Sequence, residues 1–123
     1  MIVSLDFQSD VPIYLQLRNQ IVIGISNGTL APGEKLPTIR ALAQEIGINT
    51  MTVNKAYQLL KQEGYICADR RSGAIVNDTY QKKRSLSKKT SDALKVVISE
   101  AKLEGFTESE FLTICRELYS GKS

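Results

Sequence analysis

LPTIRALAQEIGINTMTVNKAYQLLKQEGYI, residues 36–66, holds two apolar repeats of helical spacing on either side of one short break. In the first, Ile39, Leu42, Ala43 and Ile46 fall at i, i+3, i+4 and i+7, which lines one face of an α-helix. Thr38 stands at the cap, where a hydroxyl can accept from a free N–H of the first turn, and Gly47 supplies the stop. In the second, Val53, Ala56, Tyr57 and Leu60 repeat the spacing, with Asn49 at the cap and Gly64 at the end. Two helices of this length joined by Gly47-Ile48-Asn49 predict a helix-turn-helix.

Upstream, Pro12 suits a first helical turn, and Ile13, Leu17, Ile21 and Ile25 recur at i+4 towards a stop at Gly28. Ala31-Pro32-Gly33-Glu34 puts proline and glycine in the two central positions of a type II turn, and Lys35-Leu36 then reads as a very short strand. Downstream of Gly64 the period changes to two. Tyr65-Ile66-Cys67-Ala68 and Ala74-Ile75-Val76 flank the polar Asp69-Arg70-Arg71-Ser72-Gly73, a β-hairpin with two arginines at or near its tip. Farther on, Leu94, Val97, Ile98 and Ala101 share a helical face that ends at Gly105. Thr107 with Glu110 makes a capping box and Phe106 with Phe111 its hydrophobic staple, opening a last helix whose face runs on through Ile114, Cys115 and Leu118.

Composition removes several classes of function. A chain of 123 residues holds one modest core and no second one. Histidine is absent, which excludes histidine-based triads, histidine general bases and the common zinc sites. Cys67 and Cys115 are too few for a four-thiolate metal site or a disulfide framework; each reads as a small buried hydrophobe, with a redox-sensing pair as the alternative. Phosphate-loop and dinucleotide-binding glycine patterns are missing. No catalytic dyad can be built, so the expectation is a non-enzyme without cofactor or metal. No stretch approaches the ~20 apolar residues of a membrane span, and Met1-Ile2-Val3-Ser4-Leu5-Asp6 lacks the features of a secretory signal, so a cytoplasmic location without membrane contact is expected.

Charge divides the chain. Residues 1–80 carry seven basic and seven acidic side chains, whereas residues 81–123 carry nine and six, which puts the whole net charge of +3 in the tail. Five of those nine lie between Lys82 and Lys89, a run that reads as solvated linker or helix start, or as a phosphate contact. The expected organisation is a domain over residues 1–80, a basic linker or helix start over 81–89, and a two-helix tail over 90–123. Two short amphipathic helices cannot bury Leu94, Val97, Ile98, Ala101, Phe111, Ile114 and Leu118 on each other alone. A second copy of the chain is the simplest cover, which makes these seven a candidate dimer interface.

The candidate site is the outer face of the second repeat. Met51, Asn54, Lys55 and Gln58 lie opposite its apolar stripe, and Thr50 and Thr52 sit in its first turn. Asparagine and glutamine can bond adenine edges bidentately, threonine can meet thymine, and lysine takes guanine or phosphate. Thr38 and Arg40 lie at a helix N-terminus that already favours a phosphate. Asn49 precedes the reading helix, and Arg70, Arg71 and Gly73 lie on the hairpin, the arginines placed for phosphate or the minor groove. Together these residues predict a surface for double-stranded DNA.

Residues 36–66 resemble the winged helix-turn-helix of GntR-family transcription regulators. The matching positions are Leu36-Pro37-Thr38, Arg40, Leu42-Ala43, Gly47-Ile48, Thr52-Val53 and Leu60 with Glu63-Gly64-Tyr65. Asn49, Ala56, Tyr57 and the short tail are similar to the YtrA-like subgroup, whose members dimerise through two C-terminal helices. The chain departs from the pattern at Thr38, where serine is usual, at Thr50 and Asn54, where many relatives carry arginine, and at Arg71-Ser72-Gly73, where the wing usually reads Gly-x-Gly. The resemblance implies a mainly α fold with a small β-wing: a winged helix-turn-helix followed by a two-helix dimerisation tail. It also implies a homodimeric repressor that reads a palindromic operator with helix 50–63 in the major groove and a wing at 69–73, near its own operon and often one for an ABC transporter. The alternative is a winged-helix module that docks proteins instead. No small-molecule effector is specified, and no element encloses a pocket within one chain, though a dimer interface could.

Overall fold

The computed structural model describes residues 3–69, 73–79 and 83–121. Two compact units divide the chain, Met1–Tyr80 and Gln81–Ser123.

Helix α1 spans Ile13–Ser26, α2 Ile39–Ile46 and α3 Thr50–Glu63. Their capping follows the local chemistry. Thr38 Oγ1 accepts the Ala41 N–H at 3.1 Å, and Asn49 Oδ1 accepts the Met51 N–H at 2.7 Å. Gly47 ends α2 at φ +70°, a left-handed conformation that side-chain-bearing residues resist, and the chain reverses so that the Ile48 N–H reaches the Ala43 carbonyl at 3.0 Å. Gly24 is needed for another reason: a Cβ there would stand 3.1 Å from Leu30 Cδ1, where the chain folds back over α1.

The core sits where α1 and α2 meet α3 and the hairpin behind it. All four apolar positions of α3, Val53, Ala56, Tyr57 and Leu60, are buried, together with Leu17 and Ile21 of α1 and Leu42 and Ala43 of α2. Ile13, Ile25, Ile39 and Ile46, on the same predicted stripes, are half-buried. Fully burying each large apolar member contributes about 1.5–3 kcal/mol.

Strands β1 (Ile66–Asp69) and β2 (Gly73–Val76) pair antiparallel, with Ile66 opposite Val76 and Asp69 opposite Gly73. Ile66, Ala74 and Val76 turn into the core. Cys67 is exposed and Cys115 half-buried, so neither thiol is the buried hydrophobe expected from its type; in Cys67's case the alternation of the strand turns it away from Ile66. The type II turn forms at Ala31–Glu34, with Gly33 at φ +77° and the Glu34 N–H on the Ala31 carbonyl. Beyond it, Lys35 bridges to Ile75, and the Leu36 N–H meets the Ala74 carbonyl at 2.9 Å, so the predicted short strand is a single bridge along the outer edge of β2.

In the second unit, α4 spans Lys88–Leu103 and α5 Glu108–Tyr119. Ser87 caps α4, so Lys88 and Lys89 of the basic run are its first residues. Thr107 and Glu110 form the capping box in both directions, at 3.2 and 2.9 Å. Neither helix contains a buried residue. No helix among the described residues is long and apolar enough to cross a membrane.

Candidate nucleic-acid interface

The apolar stripe of α3 is sunk in the core, so its opposite face is turned to solvent. Thr50, Met51, Asn54, Lys55 and Gln58 are all exposed, Met51 to 76%, while Thr52 is half-buried. A methionine so exposed gains nothing from burial in this unit. Gln58 Nε2 lies 3.5 Å from Asn54 Oδ1, which leaves both amides at the limit of mutual contact and facing outward together.

The electrostatics favour an anion. Neither α2 nor α3 has an acidic residue in its first turn, so the positive ends of both helix dipoles stand uncompensated by carboxylates. Arg40, in the first turn of α2, is exposed beside the Thr38 cap. The side-chain oxygens of Thr38 and Asn49 are already engaged as caps, so these two residues serve the shape of the site first. Gly73 opens β2 at φ +87° and is exposed. Arg70 and Arg71, the predicted wing-tip cations, lie outside the described residues.

Three contacts that the sequence reading did not single out hold this face in place. Tyr57 donates its hydroxyl to the Pro37 carbonyl at 2.7 Å, fastening α3 to the segment that leads into α2. Arg18 of α1 grips Glu63 of α3 bidentately, Nε to Oε1 at 2.8 Å and Nη2 to Oε2 at 2.9 Å, with its guanidinium 5.6 Å from the Tyr65 ring centroid. Lys55 Nζ stands 4.1 Å from the centroid of Tyr14 on α1. The available signal was the i+4 spacing of Tyr14 and Arg18 and the i+8 spacing of Lys55 and Glu63, which put each pair on one flank of its helix without saying that the flanks meet.

The seven tail residues divide by exposure. Ile98, Ala101 and Phe111 are half-buried, whereas Leu94, Val97, Ile114 and Leu118 are exposed, from 37% to 62%. An open groove of about 380 Å³ lies between α4 and α5, lined mainly by apolar side chains that include Leu94, Ile98, Phe106, Phe111 and Cys115. Phe106 and Phe111, the predicted staple, line it together.

Comparison with known proteins gives the family of the chain. Residues 13–76 match the family described as bacterial regulatory proteins, gntR family. The uncharacterized HTH-type transcriptional regulator YhcF of Bacillus subtilis is 31% identical over 107 residues, covering 86% of this chain and 88% of that one. The HTH-type transcriptional repressor YtrA of Bacillus subtilis is 38% identical over 76 residues, 62% of this chain and 58% of its own length. Among solved structures, a transcriptional antiterminator from Listeria monocytogenes superposes with a TM-score of 0.86 at 30% identity, covering 97% of this chain and 90% of that one. The DNA-binding domain of AraR in complex with its operator ORX1 superposes with a TM-score of 0.54 at 28% identity, over 60% of this chain and 95% of that one.

Proposed function

The chain belongs to the gntR family of bacterial regulatory proteins, and from that premise we propose how this DNA-binding transcription regulator works: as a homodimeric repressor on a palindromic operator. Helix α3 enters the major groove, where Thr50, Met51, Asn54 and Gln58 meet base edges. Arg40 and the α2 N-terminus hold a backbone phosphate, Lys55 another, and Thr52 and Asn49 border the contact. The hairpin is the wing: Arg70 and Arg71 reach phosphates or the minor groove, with Gly73 allowing close approach. Residues 1–80 are thus the DNA-binding domain, 81–89 the basic linker and helix start, and 90–123 the dimerisation tail.

The observation that carries this reading is the exposed α3 face, rich in amide and hydroxyl groups, beside two helix N-termini free of acidic residues. The tail adds support for the dimer. Leu94 and Val97 of α4 and Ile114 and Leu118 of α5 stand exposed, and a two-fold partner would cover them. The name of the Bacillus YtrA supports repression, and the YtrA-like resemblance implies an operator near the protein's own operon, often one for an ABC transporter. Selection of bound duplexes from random DNA by the purified protein tests the reading. The expected product is an inverted repeat with half-sites about 34–36 Å apart or a multiple of that. Recovery of no common sequence would refute specific recognition, and recovery of a single half-site would refute the dimer.

A further inference from the structure

The flank along which α1 packs on α3 carries two cations with opposite fates. Tyr14 and Arg18 are four apart on α1, Lys55 and Glu63 eight apart on α3, and the contacts Tyr14–Lys55 and Arg18–Glu63 follow one another in the same direction along the two helices. Arg18 is spent: both oxygens of Glu63 take its N–H groups, and the charges cancel. Lys55 is held by an aromatic ring instead. A ring quadrupole attracts an ammonium without neutralising it, and a cation over one face of a ring keeps N–H groups directed away from that ring. Lys55 is also exposed, on a helix whose first turn is free of carboxylates.

Its position differs from that of the base-reading side chains. Lys55 lies about 100° around α3 from Asn54, on the side towards α1. A helix centred in the major groove by Met51, Asn54 and Gln58 presents such a flank to the phosphate strand at the groove edge rather than to the bases. An unrestrained lysine is among the costliest side chains to order at an interface, so one that is already ordered binds a phosphate at less loss.

We propose that Tyr14 is a positioning residue for DNA binding: its ring holds the Lys55 ammonium at the α1 edge of the reading helix, where it meets a backbone phosphate. The proposal rests on the reading of α3 as the groove-entering helix. It requires no contact between Tyr14 and DNA. Its requirement is the ring face alone, not the hydroxyl.

The test uses the whole 123-residue chain and a fluorescent mixed-sequence duplex, titrated over a range of salt, because a phosphate contact acts on any sequence. Lys55→Met should weaken binding and lower the salt slope by about 0.9 per contact. Tyr14→Leu should weaken binding about two- to tenfold at low salt. Tyr14→Phe should match the wild type, and Tyr14→Leu should have no further effect once Lys55→Met is present. A loss of the same size in both backgrounds would show that Tyr14 merely supports the fold, and would overturn the proposal. Unchanged binding by Tyr14→Leu, with Lys55→Met weakened, would overturn it too while sparing the phosphate contact. Unchanged binding and slope for Lys55→Met would instead strike the reading of Lys55 itself. A measurement on the unmutated protein guards against a variant that fails to fold. The ring should move the Lys55 ε-CH₂ proton resonances upfield, and resonances at their ordinary positions would overturn the contact in solution.

Discussion

The Tyr57 hydroxyl donates a 2.7 Å hydrogen bond to the carbonyl of Pro37, twenty residues earlier. One end of this bond belongs to the helix proposed to read DNA and the other to the step that starts its partner helix. The phenol is buried apart from its bond, so the interaction fixes the two helices relative to each other where the side chain has no room to move.

Tyr57→Phe should therefore keep the core volume and lose about 1 kcal/mol of stability, read from the urea midpoint with an unchanged slope. Its pH dependence is more diagnostic. Burial pushes the Tyr57 hydroxyl well above its ordinary value of 10.0. Above about pH 10 the unfolded chain releases this proton while the folded one retains it, so stability falls by up to about 1.4 kcal/mol per pH unit. Below that value the contribution is fully present. The phenylalanine variant should lack this alkaline increment, and identical alkaline losses in both proteins would refute the assignment.

Arg18 and Glu63 are largely buried, with side-chain exposures of 17% and 13%, and their bond is bidentate. Arg18→Met should cost about 1.5–3 kcal/mol, because it leaves Glu63 charged and poorly solvated. Adding Glu63→Met should restore part of that loss. Chemical denaturation of the two single variants and the double variant measures the coupling, and strictly additive losses would mean that the pair contributes only packing.

Arg40→Ala should weaken binding to all sequences by a common factor, since a phosphate contact positions without specifying. Asn54→Ala should instead relax preference at particular base pairs by about 1–3 kcal/mol. Affinities for a panel of operator variants separate the two. A uniform loss from Asn54→Ala together with a changed sequence preference from Arg40→Ala would reverse the roles assigned here.

Val97 and Ile114 are 48% and 37% exposed on the two tail helices. Placing aspartate at both should yield a folded monomer with greatly weakened operator binding, because a charge left in a buried apolar interface is costly. Sedimentation velocity reads the state directly. An unmutated protein that is monomeric at micromolar concentration and still binds a palindrome tightly would remove the tail from the proposed interface.

Much of the fold was legible because it is set within one or two turns of chain. The four-residue stripe of α3, the caps at Thr38, Asn49 and Thr107, and the type II turn at Pro32-Gly33 depend on neighbours close in sequence, and each forms where the pattern places it. The outer face of α3 follows from the same spacing: once the stripe is buried, Met51, Asn54 and Gln58 have nowhere to go but solvent. Cys67 shows where residue type misleads, since strand alternation and not thiol chemistry turned it outward.

Local pattern in the chain is thus enough for the helices, their buried and open faces, and the residue types on the open face. What joins them emerges on packing alone: Tyr57 to Pro37, Arg18 to Glu63, Lys55 to Tyr14, and Lys35 to the outer edge of the hairpin. The reason is physical. A periodicity states which side of an element is apolar, but the angle at which two elements cross and the register in which they meet come from packing all of them around one core at once. These joining contacts lie on the margins of that core, between residues up to forty-five positions apart.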